Sequence, residues 1–144
     1  MASLFQQFAT NRKAEVEGIE VTFDNEAFFR ISRMAKSNKR YQKMVEVETK
    51  PHIHAIRNDN LDPAIDEAIT LKIFIATILL GWRGVKVHEY FTPEEHTDNG
   101  YLPYTHENAH KLFKELPELY QTLKEQASKM SLFRSEEMGQ DSKT

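Results

Sequence analysis

The five residues His106-Glu107-Asn108-Ala109-His110 spell H-E-x-x-H, the pattern in which two imidazoles one helical turn apart hold zinc and the glutamate serves as general base. His88, Glu89, His96 and Asp98 precede it as candidate further ligands, but none has the spacing of a known zincin class. Position argues against the metal. Pro103-Tyr104-Thr105 reads as the entry to a helix, so His106 falls on its first turn, where Glu107 meets the positive end of the helix dipole and the imidazoles face water. No metal, cofactor or catalytic role is therefore assigned, and a small zinc-dependent hydrolase using His106, Glu107 and His110 stands as the alternative. His52 and His54 flank Ile53 and point apart in a strand or a helix, so they do not chelate. The absence of cysteine removes disulfides, thiolate metal sites and a cysteine nucleophile. Five scattered glycines build no phosphate loop.

Two other sets of side chains have binding rather than catalytic chemistry. Arg33, Lys36, Lys39, Arg40 and Lys43 form a basic run around a single aromatic, Tyr41. One aromatic cannot stack several bases, and the whole chain carries a net charge of -3, so the run reads as a solvated helix face or a docking surface for an acidic protein segment rather than one for nucleic acid. Leu4, Phe5 and Phe8 place three large apolar side chains near the start of the sequence, ready to dock on the chain's own core or on a partner. Charge is divided unevenly along the sequence. Residues 1–57 hold 10 basic and 7 acidic residues, while residues 58–144 hold 9 and 15, a polarity that suits charge-matched association, self-association included.

The elements that must position these groups follow from hydrophobic period. At 144 residues the chain fits one domain, with residues 1–133 globular and 134–144 a polar tail. Residues 1–17 read as an arm or a short helix capped by Ser3. Ile19, Val21 and Phe23 alternate with polar residues, Asp24-Asn25-Glu26 supplies a turn, and Phe29 and Ile31 alternate again, so residues 18–33 predict a β-hairpin. Residues 38–133 predict helices. The first is broken or kinked near Thr49 by Pro51. Asp62-Pro63 opens the clearest helix, and Gly81 closes it in a left-handed cap. Between them, Ile65 to Leu80 is apolar nearly all round, the mark of a buried central helix. Residues 83–104 predict a long loop with a short strand near Val85, followed by helices capped at Thr105 and begun by Pro117. Trp82 is expected to plug the core with its indole N–H on a carbonyl. The expected fold is α+β and predominantly helical: an N-terminal hairpin packed on a bundle of about four helices around the buried one. The longest uncharged apolar run, Ile73 to Trp82, is ten residues, half of what a bilayer needs. A soluble protein of the bacterial cytoplasm is expected.

With the elements placed, the order of residues resembles the tail assembly chaperones of long-tailed, siphovirus-like bacteriophages and prophages. The likeness runs through Ser3-Leu4-Phe5 and Phe8, Glu15 and Gly18, Arg33, Asn38 and Tyr41, then Gly81-Trp82-Arg83-Gly84-Val85. It continues with Tyr104-Thr105, Glu107-Asn108-Ala109 and Leu116-Pro117-Glu118-Leu119, ending near Ala127 and Phe133. Similar proteins carry proline where His106 stands and a shorter connection where Lys86 to Pro103 lies. The resemblance implies a protein without enzymatic activity that coats the tape measure protein, recruits tail tube subunits and is absent from the mature virion. It also implies a longer form made by a frameshift near the polar tail. A structural component of the phage tail is a further alternative.

Overall fold

A computed structural model describes Leu4 and residues 17–86 and 100–129. Phe5, Phe8, His88, Glu89, His96, Asp98 and the tail from Arg134 lie outside the described residues. Strands β1 (Ile19–Phe23) and β2 (Ala27–Ile31) pair antiparallel, Ile19 opposite Ile31 and Phe23 opposite Ala27. Asp24 and Asn25 both take positive φ, and the Glu26 N–H closes the turn on the Phe23 carbonyl at 3.0 Å. Aspartate and asparagine tolerate this left-handed backbone, whose twist matches that of the flanking strands.

Helix α1 (Lys39–Thr49) stops two residues before Pro51 and passes through a 3-10 turn (Lys50–His52) into the short α2 (Ile53–Arg57). The proline ends the α-helical ladder as expected of a residue with no N–H to donate. Helix α3 (Pro63–Ile73) starts where the local signals place it, with the Asp62 carboxylate accepting from the Ala64 N–H at 2.9 Å. Helices α4 (His106–Glu115) and α5 (Pro117–Ser128) complete the set, α4 capped by the Thr105 hydroxyl, which accepts from the Asn108 N–H at 3.0 Å.

The expectation that fails is the helix running to Leu80. It ends at Ile73, widens into a π turn over Phe74–Ile78 and becomes strand β3 (Leu79–Arg83). The hairpin is therefore two strands of a three-stranded antiparallel sheet ordered β1-β2-β3, and among the described residues no helix bundle surrounds a central helix. Gly81 is not a left-handed cap; it pairs with Arg30 in the sheet, and positive φ occurs at Gly18, Gly84 and Gly100 instead. Nor is the first half of α3 buried, since Ile65 is 40% exposed and Ile73 is its one buried residue. The cause is non-local. The Leu79 N–H reaches back five residues to the Phe74 carbonyl, and its ψ of 116° sends the chain to the unpaired edge of β2, whose donors and acceptors it satisfies.

A bulge makes the new strand fit. Leu79 pairs with Ile31 and Gly81 with Arg30, leaving Leu80 as an extra residue. Strict alternation would turn Trp82 away from the face used by Leu79, but the extra residue brings both inward, Trp82 opposite buried Phe29. The indole N–H donates to the Leu102 carbonyl at 2.8 Å, and its ring stands 5.0 Å from Tyr104 and 5.9 Å from Phe29. Leu80 itself lies over Gly18, where a Cβ would stand 2.8 Å from its Cδ1.

The core sits between the inner face of the sheet and the helices. Phe29, Ile31 and Leu79 from the strands meet Phe74, Ile75 and Ile78 of the π turn, with Ala109, Leu112, Phe113, Leu123 and Ala127 from α4 and α5. Phe74 makes edge contacts with Phe113 at 6.0 Å and Tyr120 at 5.3 Å. The outer sheet face is polar, where Glu20 approaches Arg30 at 3.8 Å and Arg83 at 3.5 Å. These exposed pairs contribute little.

Candidate functional site

A buried polar joint fixes the start of α1, which carries most of the basic run. Asn38 is 4% exposed and occupies the cap position, its side-chain oxygen accepting from the Tyr41 N–H at 3.3 Å. Its amide donates to the Ser32 hydroxyl at 3.1 Å and the Arg33 carbonyl at 2.9 Å. The Ser32 hydroxyl donates to the Thr77 carbonyl at 2.9 Å, and the Thr77 hydroxyl donates to the Ile73 carbonyl at 2.8 Å. One joint thus ties the end of β2, the cap of α1 and the π turn. From it project Lys36, Lys39, Arg40 and Lys43, all exposed, with Arg33 half-buried at its base. Arg40 has a structural duty as well, donating to the Ala76 carbonyl of the π turn at 3.2 Å.

The H-E-x-x-H residues open helix α4. His106 and Glu107 lie exposed on the first turn of α4, and His110 is half-buried one turn later. Burial chiefly, then the Lys114 and His106 charges, pulls the His110 pKa below its ordinary value and favours the neutral ring. Among the described residues no group of three or more His, Cys, Asp or Glu side chains is placed to hold a metal ion. Asn108, inside the motif, is 2% exposed and donates to the Pro103 carbonyl at 3.0 Å, which fixes the entry to α4.

Two concave surfaces escape sequence reasoning because each is assembled from distant segments. The first is an open groove of about 530 Å³ between the hairpin tip, the exit of β3 and the α4–α5 corner. Phe29, Leu102 and Leu112 form its buried floor, while Leu116 on its lip is 50% exposed. Asp24, Glu26 and Glu115 ring it with carboxylates, against Lys86 as the one cation among the described residues that line it. The one sequence signal for it was an apolar residue, Leu116, at a helix–helix corner where polar residues are usual. The second is a trough of about 600 Å³ between α3 and the α4–α5 pair, with Asp66 and Glu67 on one side and Lys114 and Lys124 on the other.

Tyr120 lines that trough and carries an unusual hydroxyl, buried and without a hydrogen-bond partner among the described residues. Burial first, then the neighbouring Tyr41 and Glu67, pushes its pKa up to about 12. A folded pKa above the ordinary 10 means that the neutral phenol's contribution is full below pH 10 and is lost as the pH rises towards 12. Tyr120→Phe removes a polar atom that has lost water and gained nothing. It is expected to leave urea stability at pH 7 unchanged or raised by up to about 1 kcal/mol, and to blunt alkaline unfolding between pH 10 and 12. A loss above about 1 kcal/mol at pH 7 contradicts this account.

No helix among the described residues is long and apolar enough to cross a membrane. Neither a curated protein nor a solved structure matches the chain. Residues 36–143 match the family described as YdaY prophage protein, a span that takes in the basic helix, β3 and both C-terminal helices and covers three-quarters of the chain. The chain belongs to the YdaY prophage protein family.

Proposed function

We propose that this prophage protein is a tail assembly chaperone that binds the tape measure protein in the host cytoplasm, recruits tail tube subunits and leaves before the virion is complete. The observation that carries the reading is the prophage family match, joined to the ordered resemblance of the sequence to tail assembly chaperones. Surface chemistry supports it. The exposed cations of α1 and the acid-rimmed apolar groove are two binding surfaces of opposite character, and binding rather than turnover suits both. The buried polar side chains Ser32, Asn38, Thr77 and Asn108 are committed to structural hydrogen bonds, which supports a non-enzymatic role.

Co-expression with the tape measure protein encoded by the same prophage is expected to give a soluble complex that survives affinity purification at low salt. Charge reversal of Lys36, Lys39 and Lys43 together is expected to weaken that complex at least tenfold, whereas purified virions lack the protein. Failure of the two proteins to associate at any salt concentration overturns the chaperone reading. Recovery of the chain in purified particles assigns it to the tail structure instead.

A further inference from the structure

The groove at the hairpin tip specifies its occupant by chemistry. An apolar floor takes large hydrophobic side chains, and a lip bearing Asp24, Glu26 and Glu115 favours positive charge beside them. Helical segments that fill such grooves present anchors at spacings of one turn. The sequence contains a segment of this kind. Leu4, Phe5 and Phe8 fall at helical spacing in the sequence, Arg12 and Lys13 follow, and no acidic residue occurs before Glu15. Three such side chains suit a groove of about 530 Å³, well inside the range of ~300–1,000 Å³ that binding sites span. Leu4 is 73% exposed, so the domain that carries it leaves it uncovered.

We propose that the groove receives the Leu4–Phe8 segment of a second copy of this chain, with Arg12 and Lys13 lying against Asp24, Glu26 and Glu115. Each copy then offers one segment and one groove, a head-to-tail contact that links copies until a ring or a reciprocal exchange closes it. The inference stands apart from the tape measure reading: self-association without tape measure binding keeps the one and removes the other.

The test is complementation in the full-length chain, read by light scattering across a concentration series. The unmodified protein is expected to be larger than a monomer at the highest concentrations. Phe5→Glu with Phe8→Glu removes the segment's anchors, and Leu116→Glu places a charge on the exposed lip of the groove. Each variant alone should be monomeric, with association weakened at least tenfold, and an equal mixture of the two should form a heterodimer, because one supplies an intact groove and the other an intact segment. Glu115→Lys, an exposed substitution that spares the fold, should weaken association about threefold or more, and Arg12→Glu in the other copy should restore it. A chain that stays monomeric throughout, variants that associate like the unmodified protein, or a charge pair that shows no restoration overturns the proposal.

Discussion

Gly84→Ala is expected to lower the stability of the domain by about 3 kcal/mol or more, the largest loss for an added carbon at any of the described glycines. Two costs combine at this position. Gly84 holds φ at +74°, where a side chain costs about 1–2 kcal/mol. A Cβ there would also overlap the carbonyl oxygen of Glu26 in the hairpin turn. That oxygen belongs to backbone held by the turn and cannot swing aside as a flexible side chain would. The alanine must therefore lift the exit of β3 away from the hairpin, which opens the wall that Gly84 and Val85 contribute to the apolar groove. Gly81→Ala is the control, since Gly81 lies in β3 with nothing within 4 Å of an added Cβ, and its change should stay within about 0.5 kcal/mol. Urea denaturation of both variants reads the difference. Equal midpoints for the two substitutions would refute the close approach.

Asn38→Ala should destabilise by about 2–4 kcal/mol, because a single side chain serves two accounts of hydrogen bonding. As the cap of α1 it satisfies the Tyr41 N–H, worth about 1 kcal/mol. As a donor it satisfies the Ser32 hydroxyl and the Arg33 carbonyl in a region closed to water, and stranding such groups costs about 1–3 kcal/mol. Asn38→Ser separates the two. It keeps an oxygen able to cap the helix and loses the amide donors, so its loss should fall between those of the native protein and Asn38→Ala. If serine and alanine prove equal and both cost less than about 1 kcal/mol, the joint does not carry the load assigned to it. The same variants test the proposed partner binding, because Lys39, Arg40 and Lys43 project from the helix that Asn38 starts. Fraying of its first turn is expected to weaken binding of an acidic partner before the rest of the domain unfolds.

Much of this organisation was legible locally. The starts of α3, α4 and α5 follow from Asp62-Pro63, Thr105 and Pro117, each of which supplies an oxygen acceptor or a preset φ within its own few residues. The hairpin follows from period-two alternation around Asp24-Asn25, and the break after Thr49 from Pro51. The third strand was not legible. Leu79, Leu80 and Trp82 continue an apolar run that serves a buried helix and a buried strand equally well, and the choice belongs to the unpaired edge of β2, some fifty residues earlier in sequence. The H-E-x-x-H pattern shows the opposite limit. Its spacing was read correctly, His106 standing on the first turn of α4 and His110 one turn later, and none of the described residues joins them as a further metal ligand.

The sequence by itself determined where chain direction changes and which faces are apolar, because caps, prolines and hydrophobic period act over a few residues. Only the tertiary structure decided that β3 exists, that a bulge at Leu80 turns Trp82 inward, that Gly84 sits beneath the hairpin turn, and that Phe29, Leu102, Leu112 and Leu116 meet around one acid-rimmed groove. Those outcomes depend on satisfying backbone groups and filling space between segments far apart in the chain, and no local pattern encodes either requirement.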